Sequence, residues 1–252
     1  MSTRALPLTG STIGKKMVMA VSGFIYFGFV IAHMLGNLQF FAGRDALNNY
    51  SKMLHSMPGV LWGARAVLIG ALVAHVLTAL SLVRQNQAAR PVAYAVKKDV
   101  ATDFAAKTMP LTGVTLLLYI GYHLAHLTLG VVKGVGYQQP EAGQAVDVYQ
   151  NIVNGFSVPW CAAIYIVAMG ALSLHLYHGA WSLFQSLGLN HPRYNDALRS
   201  SAVAVAMAVC VGFVSLPVAV MFLGYGRDEA PKTSAPQTLP KGGAATPASH
   251  QH

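Results

Sequence analysis

The chain has 252 residues, of which 54% are hydrophobic and only 10% charged, and its mean hydropathy is +0.46. A soluble domain carries about a quarter charged residues, so this composition excludes an ordinary soluble enzyme and implies an integral membrane protein. The formal charge of +9 would suit a nucleic-acid partner, but Lys and Arg cluster between the apolar runs, which excludes that partner and marks a membrane topology instead.

A short polar lead, residues 1–16, ends in STIGKK (11–16). The first predicted span runs over about 17–41; it is too long for a signal-peptide core and has no clear cleavage site, so it is read as retained. Residues 42–58 form a polar connector in which Asp45 to Leu54 are expected as a short interfacial helix ended by Pro58. The second span covers about 60–83 and is followed by a basic stretch with Arg84, Arg90, Lys97, Lys98 and Lys107. The third span covers about 108–132, and a connector rich in Gly and Gln follows it. The fourth span covers about 159–187, opened by a proline where the missing N–H costs least. The fifth covers about 200–223; it carries no histidine and is expected to pack the bundle. The expectation is an all-α, five-span membrane domain over 1–226 and a disordered tail, rich in Pro, Ala, Thr and Gly, over 227–252. Cys161 and Cys210 both lie in apolar runs and form no CxxC pair, so they read as inert thiols.

Five spans put the termini on opposite sides. The connectors on the side of the N-terminus hold most of the Lys and Arg, among them Lys15, Lys16, Arg84, Lys107, Arg193 and Arg199, so that side is expected to be cytoplasmic and the C-terminus outside.

Histidines lie deep in four of the five spans: His33, His75, His123 with His126, and His175 with His178. A buried polar group without a partner costs roughly 2–7 kcal/mol, so each of these needs one. A single histidine is as readily satisfied by a backbone carbonyl, but that reading weakens over four helices. His33, His123 and His126 fall in the outer halves of their spans, His75 and His175 in the inner halves, and the two levels differ by on the order of 10 Å along the membrane normal. Two bis-histidine b haems, one above the other, account for this sorting. Iron with two protein ligands has no free position for oxygen, so such haems move electrons. Spacing leaves open which of His123 and His126, and which of His175 and His178, is the ligand, since each pair shares a helix face.

Four segments, STIGKK…MA…SG (11–23), HMLGNLQFFAG (33–43), ALNNY (46–50) and HLYHGAWSLFQSLG (175–188), resemble the five-helix dihaem cytochrome b subunit (b558 type) of bacterial succinate dehydrogenases and fumarate reductases, the succinate:quinone oxidoreductases. The likeness covers about residues 10–225. It implies His33 and His123 as axial ligands of a distal haem b and His75 and His175 as those of a proximal haem b, with His126 and His178 outside the ligand set. Those two, with His55 and Arg65, are candidate contacts for a quinone or a haem propionate. The family has an acidic residue near its distal quinone site where this chain has His55; the departure leaves the family's proton chemistry open, and a histidine, with a pKa near neutrality, could do the same job, the alternative being an exposed loop residue. The resemblance further implies a flavoprotein (FAD) subunit and an iron–sulfur subunit as partners on the cytoplasmic face, a quinone (menaquinone preferred over ubiquinone) and a bacterial cytoplasmic membrane location. Whether the complex forms an oligomer is left open.

The chain has no Gly-rich loop between a strand and a helix, so succinate chemistry is expected on another chain. The alternative is a dihaem cytochrome b serving a hydrogenase or formate dehydrogenase. A haem-free transporter whose histidines relay protons is the reading from a different class, and it leaves the two-level sorting unexplained.

Overall fold

The computed structural model describes residues 11–89, 104–186, 188–189 and 191–228, and the expected disordered tail lies almost wholly outside them. All regular secondary structure among the described residues is helical: α1 (Thr12–Leu38), a 3-10 turn (Gln39–Ala42), α2 (Arg44–His55), α3 (Pro58–Ala88), α4 (Phe104–His123), a π-helical turn (Leu124–Thr128), α5 (Val148–Phe156), α6 (Pro159–Ser186) and α7 (Asn195–Leu223).

Five of the helices begin or end at residues whose chemistry favours it. Ser11 caps α1 by accepting from Gly14 N at 3.0 Å. Pro58 and Pro159 open α3 and α6, where the missing N–H would have had no helical partner. Asp147 caps α5, and Gly224, at φ 69°, ends α7 in the left-handed region.

Five helices, Thr12–Ala42, Pro58–Ala88, Phe104–Thr128, Pro159–Ser186 and Asn195–Leu223, are long and apolar enough to cross a membrane. The most apolar window of the second is only 6% buried, so its large side chains face outward. In water that would be a severe penalty; in hydrocarbon it is the expected surface. Pro110 and Pro217 sit inside α4 and α7, a pattern membrane helices tolerate.

The helices assemble as two packed pairs, α1 with α3 and α4 with α6. α1 also packs on α6, and α7 closes the bundle against α6 and α1 through buried Ala202, Ala206 and Val209. The end of the bundle carrying the N-terminus of α1 is called lower here, the other end upper. At the lower end Lys15 Nζ donates to Ser81 Oγ at 2.7 Å, joining the start of α1 to the last turns of α3.

The segment between the third and fourth spans is more than the Gly- and Gln-rich connector read from sequence. It folds back as α5, whose Tyr149, Ile152, Val153 and Phe156 are buried beneath α2 and beside α6 and α7. Asp147 fixes this upper cap: it accepts from Arg44 at 2.6 Å and from Asn48 Nδ2 at 2.9 Å, while Phe40 stacks on Tyr149. Gly130, at φ 62°, makes the turn that starts this segment, and the Tyr137 ring occupies the space where a Cβ would point.

Candidate functional site

The bundle brings its deep histidines together as two facing pairs. His33 on α1 meets His123 on α4 with ring centroids 5.9 Å apart and planes at 82°. His75 on α3 meets His175 on α6 at 6.3 Å and 54°. A metal bonds a histidine nitrogen at about 2.0–2.1 Å. Two such bonds in line, plus the distance from nitrogen to ring centre on each side, separate the two centroids by about 6 Å. Both pairs are spaced close to that separation. The paired residues come from helices far apart in sequence, so the separations follow from how the α1–α3 pair is set against the α4–α6 pair, with α1 packed on α6.

The two pairs occupy different levels. Ser22 touches His75, and Ser22 and His33 are eleven residues apart on α1. Thr112 touches His175, and Thr112 and His123 are again eleven apart on α4. Eleven residues are close to three full turns, so each hydroxyl and its histidine share one helix face about 16 Å apart. The same device appears twice, with a glycine after each hydroxyl. An added Cβ at Gly23 or Gly113 would lie 3.7 Å from Cε1 of His75 or His175, so both rings rest against bare backbone.

The hydroxyls fix the lower pair chemically. Ser22 Oγ donates to Val18 O at 2.8 Å, so its oxygen accepts from His75 Nδ1–H at 3.0 Å. Thr112 Oγ1 gives its hydrogen to Thr108 O or Met109 O, each at 3.2 Å, and accepts from His175 Nδ1–H at 3.3 Å. In that tautomer each Nε2 keeps a lone pair, which is the state a metal ligand needs. Ser22 and Thr112 were not singled out from the sequence. The repeated hydroxyl–glycine followed at the eleventh residue by histidine was the readable signal.

The upper pair lies among aromatics. His33 stacks on Phe29 at 5.2 Å and tilts against Phe213 at 5.8 Å. His123 lies beside Tyr119 and Tyr165. His126 is placed in the π-helical turn, 1% exposed and turned towards α5 and α6, and it is not part of either facing pair. His178 bonds Ser182 on its own helix at 3.1 Å. His55 ends α2, exposed, with Nδ1–H donating to Ser51 O at 2.8 Å. Arg65 lies on the upper part of α3 with its guanidinium 4.8 Å from the Trp62 ring. Cys161 accepts from Tyr122 Oη at 3.2 Å, and both cysteines are free thiols.

No family model matches this chain, and no curated protein or solved structure matches it either.

Proposed function

We propose that this chain is the dihaem cytochrome b membrane subunit of a succinate:quinone oxidoreductase. The observation that carries the reading is the two facing histidine pairs, 5.9 and 6.3 Å between ring centroids, at two levels of one bundle. His33 and His123 would hold the distal haem b, His75 and His175 the proximal one. When bound, these haems supply one-electron storage between a two-electron quinone and single-electron carriers.

The chain's own residues do the rest. Ser22 and Thr112 hold the lower histidines in the ligating tautomer. The apolar faces of α1, α3, α4 and α6 keep water from the pairs. His55 and Arg65 stand on the upper half, where a quinone head group would be met; with Nδ1–H given to Ser51 O, His55 keeps Nε2 for the quinol proton. The lower end, with Lys15, Lys16 and Arg84, is the cytoplasmic face on which the iron–sulfur and flavoprotein subunits would dock, in a bacterial cytoplasmic membrane. The succinate partner rests on the resemblance of 33–43 and 175–188; the same histidine geometry also suits a dihaem cytochrome of a hydrogenase or formate dehydrogenase.

The test is a reduced-minus-oxidised spectrum with haem counted per chain, in wild type and in His33→Ala, His75→Ala, His123→Ala and His175→Ala. The expected result is two b haems, with 33 and 123 perturbing one and 75 and 175 the other. A wild-type chain that binds no haem refutes the reading. Co-purification of a flavoprotein with succinate dehydrogenase activity distinguishes the succinate complex from the other oxidoreductases.

A further inference from the structure

Tyr165 has one hydroxyl hydrogen and two histidine neighbours. Its Oη lies 2.9 Å from His126 Nδ1 and 3.3 Å from His123 Nδ1. A phenol can donate one hydrogen bond and accept others, so it cannot donate to both. The shorter distance suits an O–H donor and the longer one an N–H donor. These distances favour Tyr165 giving its hydrogen to His126 Nδ1 and accepting from His123 Nδ1–H, with Cys161 Sγ 3.7 Å from the same His126 nitrogen.

The consequences for the two histidines differ. His123, protonated on Nδ1, keeps its Nε2 lone pair and faces His33. His126 has its Nδ1 lone pair occupied and must carry its proton on Nε2. That Nε2 is buried and has no hydrogen-bond partner among the described residues. It is packed against the backbone of Gly155, where an added Cβ would come within 2.6 Å of it. Neither nitrogen of His126 is thus in a state to bind iron. The Tyr165 ring is itself held edge-on by Phe156 at 4.9 Å and by Tyr119 at 5.2 Å, so its hydroxyl is aimed by packing from α5 and α4.

We infer that Tyr165 is a positioning residue of the upper site: it selects His123 over His126 as the ligand and tunes the electron affinity of the group His123 holds. The inference rests on the dihaem reading above. Accepting from Nδ1–H makes the opposite nitrogen more basic, which favours the oxidised metal.

The experiment is a redox titration of both b haems in wild type, Tyr165→Phe and Tyr122→Phe, on the purified chain in its complex. The upper haem is identified as the one that His33→Ala removes. Tyr165→Phe is expected to retain both haems and to make the upper one easier to reduce, by about fivefold in the reduction equilibrium for one lost hydrogen bond, leaving the lower one unmoved. Tyr122→Phe removes a hydroxyl of the same cluster that is bonded to Cys161, and it should shift neither. An upper haem unmoved in Tyr165→Phe, or moved equally by both substitutions, overturns the inference while leaving the dihaem reading intact. Should Tyr165→Phe fail to accumulate, His126→Asn decides: two haems retained supports the assignment, and loss of the upper haem overturns it. A wild-type chain without haem sinks both readings together.

Discussion

Ser22→Ala removes a single oxygen that is 4% exposed and within 3.0 Å of His75 Nδ1. The alanine leaves His75 free to rotate and to move its proton to Nε2, the nitrogen left to bind a metal when Nδ1 is held by Ser22. Loss of such an outer partner weakens metal binding by about 10–100-fold, or about 1.4–2.8 kcal/mol. Ser22 belongs near the upper end of that range, because its hydrogen is committed to the backbone and its oxygen is a dedicated acceptor. Thr112, at 3.3 Å from His175 and with two weaker backbone acceptors, belongs near the lower end. The assay is haem loss to an excess of a haem-scavenging apoprotein, followed separately at the two haems by their reduced spectra. Ser22→Ala should release the lower haem fastest, Thr112→Ala less so, and the upper haem should leave at the wild-type rate in both. Equal release of the two haems in Ser22→Ala, or a larger effect from Thr112→Ala, would refute the assignment of these hydroxyls.

Arg44→Gln breaks the bond from α2 to Asp147; losing one member of a buried pair costs about 3–5 kcal/mol, and because Asp147 is 32% exposed water offsets part of this, leaving about 2 kcal/mol. Thermal unfolding in detergent should show it, and an Asp147→Asn partner in a double-mutant cycle should show coupling. Gly155→Ala forces the His126 ring to shift, because the new Cβ would sit 2.6 Å from two of its atoms; a loss of about 1–3 kcal/mol is expected with both haems still bound, and a haem count below two would contradict it. Electron paramagnetic resonance of the oxidised, haem-loaded chain should give two distinct low-spin signals. Near-perpendicular imidazole planes leave two iron d orbitals almost degenerate, so the 82° pair should be the more anisotropic and the 54° pair the less. Two identical signals would contradict these ring angles.

The sequence alone determined the parts that depend on local patterns. Apolar runs of membrane length, spaced by basic connectors, dictate five long helices, because an isolated span in hydrocarbon must satisfy every backbone group internally. Histidines in four of those runs mark the site by their cost alone. The ends were less legible: α1 begins at Thr12 rather than about residue 17, and α3 extends to Ala88, because a helix continues past the apolar region while its polar side chains reach water. α5 was missed because one short helix in a Gly-rich connector has no period long enough to stand out; only its burial against α2, α6 and α7 reveals it. The choice between His123 and His126 lay beyond sequence, since residues three apart share a face of a straight helix. Tertiary structure separates the two rings: His123 faces His33, while a π-helical turn carries His126 towards α5 and α6, and Tyr165 arrives from another helix to meet both. Which histidine faces which is a property of how four helices pack, and packing is set by side chains distant in the chain.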